Sequence, residues 1–238
     1  EYRVLHEFET AQGAAPSGPL VIGVDGALYG TTFVGGISGS GTLFRMQRSG
    51  QGYEVLHHFG EGSDAPRGPA NGLTLQPDGK LYGTTLAGGT FNGGVLYSFD
   101  PVQSEVVILQ HFGAASDGVE PSSPLFAAGD GFFYGTTIGG GEGNGTIFRI
   151  RPDGSGYRKV YAFPFENPNT HPQNGKMPIG AIWVSPSGRI YGTTMAGGAW
   201  LGTGLFYSVN TDGTAFRRIR EIAAGLVSYD ESDDTIVI

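Results

Sequence analysis

Cysteine is absent from all 238 residues. That one absence removes disulfides, thiolate zinc sites, iron–sulfur ligation and cysteine nucleophiles. It leaves the compartment open, because a large core needs no covalent staple. Charge is scarce as well. Asp, Glu, Lys and Arg make up 15% of the chain, the net charge is −8, and no basic run occurs. A nucleic-acid groove needs positive charge to displace counterions, so nucleic acid is not an expected partner. No apolar run approaches the ~18–20 residues of a membrane span. The common local motifs are missing too. Gly175-Lys176 is followed by Met177, which breaks the P-loop pattern. No G-x-G-x-x-G opens a helix, and neither a G-x-S-x-G elbow nor an H-E-x-x-H run occurs. The loops "GGISGSG", "GGTFNGG" and "GGGEGNG" lack the aspartates of calcium-binding nonapeptides.

Glycine is abundant instead, at 43 residues, and aromatics reach 12%. There is no Gly-X-Y period, so collagen is excluded, and the apolar content suffices for a core. The composition suits many short strands joined by tight turns. Self-similarity confirms this. "YGTT" recurs at Tyr29–Thr32, Tyr82–Thr85, Tyr134–Thr137 and Tyr191–Thr194, with spacings of 53, 52 and 57 residues. Each copy follows a short apolar run ("PLVIGV", "GLTLQP", "PLFAAG", "AIWVSP") and a turn at Asp25-Gly26, Asp78-Gly79, Asp130-Gly131 or Ser187-Gly188. After it come a Gly-Gly loop, a run such as "GTLFRM", and a closing run such as "YEVLHHF".

Each unit therefore reads as four strands, A to D. Asp-Gly between alternating runs predicts type I′ hairpins. Strand A is apolar on both faces and is expected innermost and buried. Repeated four-stranded units predict an all-β fold, a β-propeller. The units span residues 20–59, 73–112, 125–163 and 182–222. The end, "AAGLVSYDESDDTIVI", matches strands A and B, and "YRVLHEF" at the start matches strand D. Together, 226–238 and 1–8 make a composite closing blade, the fifth, in a single domain of 1–238. It lacks a clear strand C. Either it has three strands or the chain is part of a larger propeller. A strand-like start at Glu1 also suggests a mature or trimmed form.

The pattern "DGxLYGTTxxGGxxGxGTLF" resembles the Gloeo/Verruco (GloVer) repeat of bacterial proteins, over nearly the whole chain. The resemblance implies a bacterial origin and an extracellular or cell-surface location. It implies no reaction. More loosely, the units are similar to those of NHL-type propellers, which serve as binding platforms and as enzymes. The fourth copy departs at Ser187 and at Trp200.

A residue present in every blade is expected to build the blade. The YGTT tyrosines and threonines are read as architecture. His6, His57, His58 and His111 fall on strand D and are read as solvated edge residues. Function is expected where copies differ, in the D-to-A and B-to-C loops at one end. Ligand-binding candidates are Asp64, Arg67, Phe91, Asn92, Glu142 and Trp200. Catalytic candidates are Asp117, Glu120, His171 and Lys176, with His171 and Lys176 in the longest loop. Asp64 and Asp117 also suit simple turn-making. Asn144 heads an "NGT" sequon that is read as coincidental.

Rings stack on sugar faces while amides and carboxylates bind hydroxyls. The expected function is an extracellular binding or scaffold module with a glycan, or another polar small ligand, as first partner. A carbohydrate-active hydrolase or lyase and a structural part of a surface assembly, packing on other surface proteins, are the alternatives. No cofactor and no metal site are expected. Calcium in the channel is compatible with the fold but not required by the sequence.

Overall fold

The computed structural model describes residues 2–114, 117–165, 174–198, 203–221, 228–230 and 235–237. Four antiparallel sheets follow one another along the chain. The first is β1 (Ala14–Ile22), β2 (Leu28–Val34), β3 (Thr42–Met46) and β4 (Glu54–His58). The second is β5 (Arg67–Leu75), β6 (Leu81–Ala87), β7 (Val95–Asp100) and β8 (Glu105–His111). In the third, β9 (Gly118–Pro121) and β10 (Phe126–Ala127) both pair with β11 (Phe133–Gly140), which continues to β12 (Thr146–Ile150) and β13 (Arg158–Ala162). The fourth is β14 (Lys176–Val184), β15 (Arg189–Ala196), β16 (Leu205–Asn210) and β17 (Arg217–Glu221). A hairpin of β18 (Ser228–Asp230) and β19 (Thr235–Val237) ends the described chain. No α-helix occurs among the described residues. The molecule is an all-β array of propeller blades.

Strand A begins earlier than the sequence suggests. Its register with strand B slips between Ser17 and Val21, between Pro69 and Leu73, and between Ile179 and Trp183. The Gly/Pro stretch is thus a bulge inside the strand rather than a loop before it. Arg67, Glu120 and Lys176, expected in loops, consequently lie on β5, β9 and β14. The Asp-Gly hairpins form, but not as type I′. Only the glycine has positive φ (Gly26, 78°), with Gly26 N–H donating to Gly23 O and Gly23 N–H to Ala27 O. This is a type I turn followed by a left-handed glycine, the other common short hairpin.

Adjacent sheets pack face to face. Tyr29, Leu43 and Phe59 of the first meet Leu73, Val95 and Tyr97 of the second in one buried cluster. Similar clusters join the second sheet to the third and the third to the fourth. An aromatic pair marks every junction: Phe59–Tyr97 at 5.3 Å, Phe112–Phe148 at 5.0 Å and Phe163–Tyr207 at 5.3 Å between centroids. Phe8 makes the same contact with Phe44 at 5.2 Å. Residues 2–8 form no ladder, contrary to the strand expected there, although Phe8 packs on Phe44 and His6 stacks on Tyr53 of the first unit.

The C-strand ring lies across the YGTT glycine. A Cβ on Gly83, Gly135 or Gly192 would stand 2.5 Å from Tyr97, Phe148 or Tyr207. The second threonine of each copy is buried and bridges strand B to strand C. Thr137 Oγ1 accepts Thr146 N–H at 3.1 Å and donates to Gly139 O at 3.0 Å; Thr32 and Thr85 repeat this. Around the inner strands, Ser17 donates to Pro69 O, Asn71 to Pro121 O and Ser122 to Pro178 O, at 2.7–2.8 Å.

Candidate functional site

The B-to-C loops are clamped between two D-to-A segments. Gly36, Gly89 and Gly141 N–H donate back to Thr10, Asp64 and Asp117 O. Gly68, Glu120 and Met177 N–H donate to Ser40, Gly93 and Asn144 O of the preceding blade. Gly68, Glu120, Met177 and Ala15 share one position, and all have φ between 51° and 66°. Three of them are not glycine, so the position stores left-handed strain in the first, third and fourth blades. One face therefore carries a rigid rim of loops.

The candidates on that rim divide. Arg67 donates to Asn92 Oδ1 at 2.7 Å, and the same oxygen receives Gly88 N–H. These two residues pin the loop while keeping its edge polar. Beside them, Phe91 is 53% exposed. Asp64 is exposed and contributes its carbonyl to the clamp. Asp117 is half-buried and accepts Tyr157 O–H at 3.3 Å. Burial raises its pKa, against the lowering effects of Tyr157 and the Lys159 charge. Glu120 and Glu142 are exposed, and Lys176 is half-buried. Among the described residues no hydrogen bond or ion pair joins Asp117, Glu120 and Lys176. His171 and Trp200 lie outside the described residues. Asn144 spends its amide on Pro164 O at 2.5 Å.

Two groups on this face escaped sequence reasoning. Phe165 is 70% exposed, and a Cβ on Gly143, in the third B-to-C loop, would stand 3.2 Å from its ring. His6, His57, His58 and His111 are half-buried rather than solvated. His58 and His111 accept the N–H of Ile37 and Thr90 at 3.3 and 3.2 Å, holding the B-to-C loops, because strand D ends beside them. His6 stacks on Tyr53 at 3.8 Å.

The opposite, turn face has a different chemistry. Asp25 accepts Tyr29 O–H at 3.1 Å and Arg45 at 2.7 and 3.0 Å. Burial works to raise the Asp25 pKa, but bonds from Ala27 N–H, Arg45 and Tyr29 outweigh it and hold the carboxyl low. The third blade repeats the Asp130–Tyr134 bond at 2.8 Å. The signal was the Asp-x-x-x-Tyr spacing, hidden under the turn reading. A cavity of about 400 Å³ opens beside Asp25, between the first two blades. Among the described residues no three His, Asp or Glu groups are placed to hold a metal ion.

Comparison with known proteins agrees with the fold. Residues 1–171 match the Gloeobacter/Verrucomicrobia repeat. No curated protein is a significant sequence match to the chain. Solved structures share its fold. TolB from Acinetobacter baumannii aligns at TM-score 0.50 and 12% identity, over 84% of this chain and 43% of that one. A protein described as TolB from Agrobacterium tumefaciens gives 0.50 and 15%, over 83% and 62%. The extracellular domain of a one-component system from B. thetaiotaomicron gives 0.52 and 13%, over 85% and 22%. The chain thus spans less than two thirds of each of these structures.

Proposed function

Since the chain belongs to the Gloeobacter/Verrucomicrobia repeat family, we propose that it is a bacterial extracytoplasmic propeller of five blades that binds a glycan on its loop face. The observation carrying the binding reading is the exposure of Phe91, on a loop otherwise made of small residues, and of Phe165, in the long segment that follows the third blade. A ring that stays largely exposed on a clamped loop gives up much of its burial energy in the free protein, and it stacks well on a flat apolar ligand face. Arg67, Asn92, Asp64 and Glu142 lie on the same loops and segments and would supply donors and acceptors for hydroxyls. Trp200 holds the matching loop position in the fourth unit. An extracellular domain among the structural neighbours favours the location.

Five blades are favoured by what two faces lack. Leu43, Leu96 and Ile147 are buried against the next blade, whereas their counterpart Phe206 and the neighbouring Trp183 are exposed on the fourth. Leu73 is buried on the second blade, whereas Leu20 and Ile22 on the first are exposed. Residues 226–238, with Phe8 already seated on Phe44, supply the blade that covers both faces.

A glycan-array screen followed by calorimetry tests the ligand. Phe91→Ala and Trp200→Ala are each expected to weaken binding about tenfold with unchanged melting temperature. No binding by the wild type, or equal binding by both variants, would overturn the glycan reading. Sugar products released by the wild type would favour the hydrolase or lyase instead.

A further inference from the structure

The cavity between the first two blades is separate from the loop face, and nothing in the glycan reading uses it. Its walls come from the A-to-B turns of both blades and the C-to-D turn of the second. Two of its features are unusual for hairpin turns.

The first is apolar. Val24 and Val102 line the cavity, yet they are 75% and 93% exposed. The turn position of Val24 carries Pro77, Gly129 and Pro186 in the other blades. Valine has poor turn propensity and gains nothing here from burial within the protein. Leu56 and Leu81 continue the apolar wall inward.

The second is charge. Arg45 is consumed by Asp25, which also receives Tyr29 O–H and Ala27 N–H. Glu54, Asp78 and Asp100 remain on the lining. Asp78 Oδ1 takes Lys80 N–H, and Asp100 Oδ1 takes Val102 and Gln103 N–H, and Oδ2 of each accepts no hydrogen bond among the described residues. Lys80 approaches Asp100 only to 4.0 Å. The Glu54 side chain has no hydrogen bond or ion pair among the described residues. The volume falls in the range of small-ligand sites.

We propose that this cavity binds an alkyl cation: an ammonium or guanidinium on an aliphatic stem, as in a lysine side chain or a free diamine. The stem lies between Val24, Val102 and Leu56, and the head reaches Glu54 and Asp100. This is how long basic side chains divide between apolar and charged surroundings. An anion is repelled by the same wall. A bare metal ion lacks a ligand set, because no three acidic or histidine groups among the described residues converge on one point.

Methyl-resolved NMR on the whole chain tests this, with three probes: cadaverine, lysine capped at both ends, and hexanoate. Both amines are expected to shift the Val24 and Val102 methyls saturably, and high salt to weaken them. The double variant Glu54→Gln/Asp100→Asn is expected to weaken amine binding at least about tenfold. Val24→Ser is expected to weaken it without changing the salt dependence. All these positions lie at the surface, and unchanged spectra elsewhere report an intact fold. Cadaverine binding alone assigns the source to free diamines, and capped lysine binding alone assigns it to a polypeptide side chain. Failure of both amines, equal binding of hexanoate, or full affinity in the double variant overturns the proposal. Loss of glycan binding through Phe91 leaves it untouched.

Discussion

At the scale of single residues, the repeat hides small inequalities with measurable consequences. Phe44 and Phe148 stand on strand C where Tyr97 and Tyr207 stand in the other two blades. The two tyrosine hydroxyls are fully buried without a partner, and burial pushes their pKa values up. A buried hydroxyl with no bond costs free energy, so Tyr97→Phe is expected to stabilise the protein by about 1 kcal/mol in urea unfolding. His57 carries a pH dependence. Burial, and then the charge of His58, lowers its pKa from the ordinary 6.5, against the opposing effect of Glu61. The unfolded chain then binds the proton more readily than the folded one. Stability is therefore expected to fall as pH drops below about 6.5, down through the folded pKa. Urea midpoints between pH 7.5 and 5.5 in wild type and His57→Gln check this, the variant showing the smaller drop. The YGTT tyrosines were legible as packing residues from recurrence alone. The left-handed position was not, because Ala15, Gly68, Glu120 and Met177 share a conformation and no chemistry.

At the scale of the element, the second threonine ties strand B to strand C and sets the base of each exposed loop. Thr137→Val keeps the shape and removes one acceptor for Thr146 N–H and one donor to Gly139 O. A cost of about 2 kcal/mol is expected, with faster amide exchange at Thr146 than elsewhere on β12. Alternation and turn residues made strands A to D of the four sheets readable. They misplaced the start of strand A, because "PSGP" and "APRGP" read as loop by composition while the ladder continues through them as a bulge. The same error put Arg67, Glu120 and Lys176 in loops. The Arg67–Asn92 bond could not be seen in the sequence, because it joins residues 25 positions apart through geometry that no local pattern encodes.

At the scale of the molecule, blade junctions matter more than blades. Each consists of a sandwiched core with an aromatic pair, and Phe8 repeats that pair at the first sheet. If residues 2–8 close the ring, Phe8→Ala is expected to cost about 2 kcal/mol, as for a partly buried ring. A loose N-terminal tail would leave the urea midpoint unchanged. The inner belt adds direction to these junctions. Ser17, Asn71 and Ser122 all donate forward, from an earlier blade to the proline carbonyl of the next. The fourth blade carries Ile179 and Gly180 at that register, and neither side chain can donate. The belt thus has a polarity and a fixed terminus, like a zip fastener with its stop sewn in. If residues 2–8 and 226–238 close the ring as proposed, cutting the chain between the first and second blades and fusing residues 1 and 238 would leave the stop in place while moving the opening a blade away. The two kinds of break would then lie at different junctions, where mechanical pulling could tell them apart.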